Sequence, residues 1–177
     1  YAPKIFAPVF FNDGNISIAG VINGIEVDAE SSYFHFNDYI TEGAAADLNK
    51  VANSIILGKG LATNLLADMG DIVQVTTSQG EQFPLKVVGI FQTGILDFDK
   101  AQSYASIGSV QKVLGKTSTY MTDIQVKLKD VTTAPALAIV YADLFHLDAL
   151  DIQTANSQFE TGSFIRTLIS YAVGITL

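Results

Sequence analysis

The 177 residues are 49% hydrophobic and only 16% charged, the reverse of the balance that keeps a chain disordered. Eighteen acidic against ten basic residues leave a net charge of −8, and no stretch gathers Lys and Arg into a footprint for phosphates; nucleic acid is excluded as a partner and adsorption to anionic headgroups is disfavoured. With no cysteine present, disulfides, thiolate nucleophiles and cysteine-based zinc sites are ruled out.

The chain starts at Tyr1 with neither an initiator methionine nor a signal-peptide pattern, and is read as a fragment whose upstream part has been removed. The first run, Ile5 to Phe11, predicts a strand. Asn12-Asp13-Gly14-Asn15 follows as a turn, and Ser17 to Ile25 continues as the second strand. Asp28 is placed to cap a short helical turn, with Tyr33, Phe34, Phe36 and Tyr39 as packing aromatics in a compact connection. Ser54 to Leu57 reads as a short buried strand ending at Gly58. Leu61, Leu65 and Met69 then form an apolar stripe on a helix that Gly70 stops. Ile72 to Thr77 and Phe83 to Phe91 make a hairpin across Ser78-Gln79-Gly80-Glu81-Gln82.

Further on, Gln102 to Ile107 reads as a strand and Val110, Val113 and Leu114 as a short helix ending at Gly115. Asp123 to Lys129 alternates polar with apolar, which predicts a half-exposed strand with Ile124, Val126 and Leu128 inward. Leu137, Val140, Tyr141 and Leu144 fall on one helix face. Between Phe164 and Leu177 the only charge is Arg166. Composition alone leaves two readings of that run: an amphipathic core helix, or a membrane span cut short of the roughly 20 apolar residues a bilayer requires.

Few residues could carry chemistry. Asp97 and Asp99 could hold a metal or form an acid–base pair; a loop or helix cap is the plainer reading and the one adopted. His146 stands near Asp143, Asp148 and Asp151, and His35 lies far away in sequence. Three or four protein ligands at suitable spacing are missing, and an imidazole at a helix C-terminus has a simpler role. Gly58-Lys59-Gly60 lacks the spacing and the hydroxyl of a phosphate loop, and neither a nucleophile elbow nor a partnered histidine is present. The site residues are therefore none: no catalytic residue, no cofactor, no metal, and no enzyme.

The order of segments is informative beyond composition. Gly24-Ile25-Glu26, the acidic aromatic stretch 30–39 and Ile40-Thr41-Glu42-Gly43 come first. Ile55-Ile56-Leu57-Gly58-Lys59-Gly60-Leu61-Ala62, Gly70-Asp71-Ile72-Val73 and Val87-Val88-Gly89-Ile90-Phe91-Gln92-Thr93-Gly94 follow, then Asp97-Phe98-Asp99, Gln111 and Ile124 to Asp130. Asn156, Phe159, Glu160 and 164–170 close the series. In this order the chain resembles the periplasmic domain of MacB-like and LolC/LolE-like ABC-transporter permeases, relatives of FtsX.

The resemblance implies an α+β fold in which a mixed-sheet, porter-like subdomain (1–24 and 118–160) is interrupted by a second α+β subdomain (25–117). It implies that 161–177 begins a truncated transmembrane helix, and that the first porter strand and helix precede Tyr1. It further implies an inner-membrane permease with this domain in the periplasm, a cytoplasmic ATPase as a subunit or fused domain, a second permease protomer, and a periplasmic carrier or adaptor as a possible partner. ATP-driven dimer closure would be transmitted to the periplasmic domains to release or export a lipoprotein, peptide or hydrophobic compound that does not cross the bilayer. LolC-like permeases place a long carrier-recruiting hairpin between two strands where this chain has only Ser78 to Gln82. LolE-like, MacB-like and unclassified permeases stay open as subtypes. The alternative is a freestanding extracytoplasmic binding module without a transport role.

Overall fold

The computed structural model describes residues 1–14 and 16–155. They divide into two compact units, one running from Tyr1 to Val126 and the other starting at Lys127.

In the first unit, β1 (Ala2–Asp13) and β2 (Ile16–Ile25) form a long antiparallel hairpin, from Lys4 opposite Ile25 to Asp13 opposite Ile16. Helix α1 (Val27–Phe34), a 3-10 turn over Phe36–Tyr39, β3 (Ile40–Gly43) and α2 (Asp47–Lys50) come next. They are followed by β4 (Ser54–Gly58), α3 (Lys59–Leu65), β5 (Ile72–Thr76) and β6 (Gln82–Phe91). Helix α4 (Leu96–Ala101), β7 (Gln102–Ser106), α5 (Ile107–Val113) and β8 (Asp123–Gln125) complete the unit.

The strand ladder closes on itself. β2 runs parallel to β7, β7 antiparallel to β4, and β4 parallel to β6. β6 is antiparallel to β5, and β5 returns antiparallel to β1 through Phe10–Thr76, Phe11–Val75 and Asn12–Gln74. These strands form a barrel, with β3 extending β6 and β8 extending β1. Closure satisfies backbone donors and acceptors that an open sheet would leave at its edges. The strands of 1–24 thus share one sheet with strands of 40–106.

The two-residue period of a strand sorts the side chains into two cores. Ile5, Ala7, Val9 and Phe11 of β1 face inward with Ile22, Ile55, Leu57, Val73, Val75, Leu85 and Val87; α3 adds Leu61, Ala62 and Leu65, and α5 adds Val110 and Val113. Outside the wall, Ile56 and Val88 pack with Ile25, Val27, Phe36, Ala45, Leu48 and Phe91. β4 is buried on both faces, which is why its sequence is a continuous apolar run without alternation. A bulge in β6, where Ile55 opposes Val87 but Ile56 opposes Gly89, leaves Val88 extra and adds it to the outer core.

Several expectations are corrected. Glu26, in extended conformation, caps α1 by accepting from the Ala29 amide at 3.2 Å; Asp28 lies inside the first turn, where its charge still complements the helix dipole. α3 stops at Leu65 because Leu66 turns left-handed (φ 57°), so Met69 lies beyond the helix and is exposed. Of the aromatics expected to pack, Phe36 is buried whereas Tyr33 and Tyr39 are exposed. β8 covers three residues and exposes Ile124, and Val126 just beyond it is exposed too. Among the described residues its only partner is Ala2–Lys4, because β5 holds that edge of β1 further along, and no layer of the unit covers it.

In the second unit, Asp130 caps a 3-10 turn (Val131–Thr133) by accepting from the Thr132 amide and hydroxyl at 2.9 and 2.7 Å. Helix α6 (Ala134–Phe145) starts with Pro135 in its first turn, where a missing N–H costs nothing, and ends at a left-handed His146. Val140 and Leu144, half of the stripe expected on one face, are exposed together with Ile139 and Phe145. The run 161–177 lies outside the described residues.

Candidate functional site

The outer core ends in a cavity of about 190 Å³. Four elements build it. α1 presents Glu30 and Phe34 one turn apart, and left-handed His35 (φ 57°) then swings the chain into the 3-10 turn carrying Phe36 and Tyr39. The end of β6 supplies Phe91 and the following Thr93, α4 supplies Phe98 and β7 supplies Tyr104. The rings lock one another: Tyr104 lies 4.5 Å from Phe36 and 5.1 Å from Phe91 between centroids, and Phe98 meets Phe91 edge-on at 6.2 Å. Phe36, Phe91 and Glu30 are buried at the base, and the exposed Tyr39 stands at the rim.

Glu30 is the charged group of this cavity. Lys4 donates to its Oε1 at 2.7 Å, and the two side chains are only 14% and 6% exposed. The Lys4 ammonium also sits 5.4 Å from the centre of the Phe34 ring. Oε2 of Glu30 is buried with no hydrogen-bond partner among the described residues. An acceptor left so costs about 1–3 kcal/mol. Burial first, then the negative charge of Glu30 and the nearby Tyr39, push the Tyr104 phenol above its ordinary range. It therefore stays protonated at neutral pH.

The cavity rim depends on Asp99, which is buried. Its Oδ1 accepts from the Thr93 amide at 2.9 Å and the Thr93 hydroxyl at 2.8 Å, and its Oδ2 accepts from the Gly94 amide at 3.1 Å. This clasp ties the loop after β6 onto α4. It gives Asp99 a structural role in the loop, while Asp97 is exposed. The same junction explains Gly58-Lys59-Gly60. A Cβ on Gly58 would lie 2.3 Å from the Asp99 carbonyl oxygen, and one on Gly60 would lie 2.6 Å from Lys100 Cγ. Both glycines let α4 approach the start of α3, and Lys59 reaches Glu42 at 3.4 Å.

In the unit starting at Lys127, Asp151 accepts from the Gln153 and Thr154 amides at 2.9 and 3.0 Å and from the Thr154 hydroxyl at 2.6 Å. The Thr154 hydroxyl and then its amide hold the Asp151 carboxyl below the usual range. Asp151 is thereby occupied with its own turn of helix, 152–155. Among the described residues no three His, Asp or Glu side chains are grouped as a metal would require, and no helix is long and apolar enough to cross a membrane.

Sequence reasoning did not find Lys4, Glu30, Thr93, Phe98 and Tyr104 as one site. Only the four-residue spacing of Glu30 and Phe34 in a helix signals part of it. Lys4 stands 26 residues from Glu30, and only the barrel pairing brings Tyr104 near.

Comparison with known proteins places these features. Residues 2–139 match the family model of the MacB-like periplasmic core domain. The chain is 30% identical over 145 residues to the lipoprotein-releasing system transmembrane protein LolC of Neisseria meningitidis serogroup B, covering 74% of this chain. It spans 35% of that relative's length. Two solved structures share the fold. The extracellular domain of the noncanonic ABC-type transporter YknZ from Gram-positive bacteria aligns with a TM-score of 0.56 at 14% identity, covering 85% of this chain and 76% of that one. The periplasmic region of MacB from Actinobacillus actinomycetemcomitans aligns with a TM-score of 0.55 at 15% identity, covering 90% and 74%.

Proposed function

The chain belongs to the MacB-like periplasmic core domain family, and from that premise we propose that it is the extracytoplasmic domain of an ABC-transporter permease that transmits ATP-driven motion to a periplasmic or membrane-derived cargo. The observation that carries the proposal is the family match across 2–139, which spans the ordered motifs from Gly24 to Asp130 and the α+β barrel. The physical requirement of such a domain is stiffness. A closed barrel with two buried cores, and the Gly58–Asp99 junction binding α4 to it, supports that reading.

Within this proposal the motor is a cytoplasmic ATPase, a second permease protomer faces this one, and the parent is an inner-membrane protein. The cargo class is a lipoprotein, peptide or hydrophobic compound. The β5–β6 turn bears on subtype. It is closed by the Thr77 amide on the Glu81 carbonyl and the Gly80 amide on the Thr77 carbonyl, both at 2.9 Å, with Gly80 at φ 84°. So tight a turn offers no protruding hook, and an adaptor would have to use another surface.

The test uses the full-length parent transporter in lipid, with its ATPase. Gln79→Cys introduces a unique thiol into this domain at an exposed turn, because the chain has no cysteine. Spin labels there on two protomers should show a different distance distribution when ATP is bound than when the ATPase is empty. Identical distributions in both states would overturn the proposal of transmitted motion.

A further inference from the structure

We propose that the cavity between α1, β6, α4 and β7 binds a small uncharged molecule with a ring-sized apolar body and a carbonyl oxygen, which accepts a hydrogen bond from the Tyr104 hydroxyl. This inference stands on the first unit alone and does not depend on the transport proposal.

Three observations converge on that chemistry. First, Tyr104 brings a donor without an acceptor. Its ring is fixed against Phe36 and Phe91, yet its hydroxyl makes no hydrogen bond among the described residues. The described side-chain oxygens that are both sealed from solvent and unpartnered are Glu30 Oε2 and Thr77 Oγ1, so the unpartnered Tyr104 hydroxyl keeps surface that a ligand can touch. Glu30 and Tyr39, whose charges act on this phenol, both line the cavity, which places the hydroxyl on the cavity side of its ring. Second, the walls are aromatic: the rings of Phe34, Phe36, Phe91 and Phe98 take up an apolar body. Third, the size fits. About 190 Å³ exceeds the roughly 150 Å³ that suffices for benzene in an engineered apolar cavity.

The other polar groups of the cavity sharpen the choice. Lys4 holds Oε1 of Glu30 at 2.7 Å and Oε2 is sealed away, so the carboxylate offers a ligand nothing. The Thr93 hydroxyl is spent on Asp99. No Lys, Arg or His lines the cavity, so an anion would lose its water without gaining a counter-charge. A cation would meet ring faces alone, which offset only part of its desolvation. Among neutral groups, an alcohol would bring a donor of its own with the carboxylate out of reach. A carbonyl carries only acceptors and leaves no donor unpaired.

Acetophenone and ethylbenzene share one carbon skeleton and differ in the carbonyl oxygen, while benzoate and benzylammonium carry the same ring with either charge. Each is titrated into the 177-residue chain at neutral pH, with the amide resonances of Thr93, Phe98 and Tyr104 followed by NMR. Acetophenone should bind about five times more tightly than ethylbenzene, the gain expected from one net hydrogen bond, and both ions should bind more weakly than acetophenone. Tyr104→Phe keeps the ring and removes the hydroxyl. In that variant acetophenone should fall to the affinity of ethylbenzene, and ethylbenzene should be unchanged. Equal affinities of the two neutral probes on the unmodified chain, or a preference that survives Tyr104→Phe, would overturn the proposal. So would tighter binding of either ion, or no shift with about 1 mM of any probe, the concentration that half-fills a site of millimolar Kd. Should the variant not fold, the four probes on the unmodified chain decide alone.

Discussion

The two faces of the barrel wall are built on different principles. The inner core is almost entirely aliphatic, with Phe11 its one fully enclosed ring among the described residues, and its side chains are enclosed by the strands and by helices α3 and α5. The outer core mixes aliphatic side chains with the rings of Phe36 and Phe91, against which Phe98 and Tyr104 pack, and these rings line a cavity together with Glu30 of the Lys4–Glu30 pair. The difference teaches where stability and recognition can each reside. A closed wall can be packed to crystal-like density, whereas a face open on one side can hold space, charge and an unpaired oxygen.

Neighbouring residues of β4 test this contrast most strongly. Leu57 faces inward and Ile56 outward, and both are fully buried. Leu57→Ala leaves a void that the barrel cannot collapse, so its cost falls at the upper end of the usual 2–5 kcal/mol. Ile56→Ala borders the cavity layer, which can relax, and should cost about 1 kcal/mol less in urea unfolding. Equal costs, or the reverse order, would break the distinction between the faces.

The next effect concerns the junction that holds α4. Gly58→Ala drives a methyl group to 2.3 Å from the backbone carbonyl of Asp99, which cannot rotate away. We expect a loss of about 1–3 kcal/mol, with shifts in the resonances of Thr93 and Phe98 at the cavity rim. Asp99→Asn is a subtler perturbation. Its amide can still accept from Thr93, but an N–H would then face the Gly94 amide, donor against donor. The expected cost is about 1–2 kcal/mol, with faster hydrogen exchange at Thr93 and Gly94. Unchanged exchange there would remove the clasp from the account.

Much of this was legible from local pattern. The apolar run of β1, the unbroken apolar run of β4 and the turn residues of the β5–β6 hairpin each predict their own element. The motif order resembled the family that the comparison establishes. What escaped depends on long-range pairing or on competition between close alternatives. Barrel closure rests on Phe10 meeting Thr76 and Val21 meeting Gln102, which no local window contains. Asp28 and Glu26 are both acceptable caps, and the extended backbone at Glu26 decided between them. The alternation from Asp123 to Lys129 was real, but a strand needs a partner edge and a covering layer, and β8 finds only three residues of the former. Glu30 was visible as an acidic residue among aromatics, yet its value lies in Lys4, Thr93 and Tyr104, which the fold brings to it from three other segments.

The claim that this domain works outside the cytoplasmic membrane is tested most directly by thiol accessibility in cells expressing the full-length parent protein. Carrying Gln79→Cys as its only cysteine, the protein should react with a membrane-impermeant maleimide once the outer barrier is opened and the cytoplasmic membrane is intact. Labelling that appears only after the cytoplasmic membrane is lysed would contradict the account.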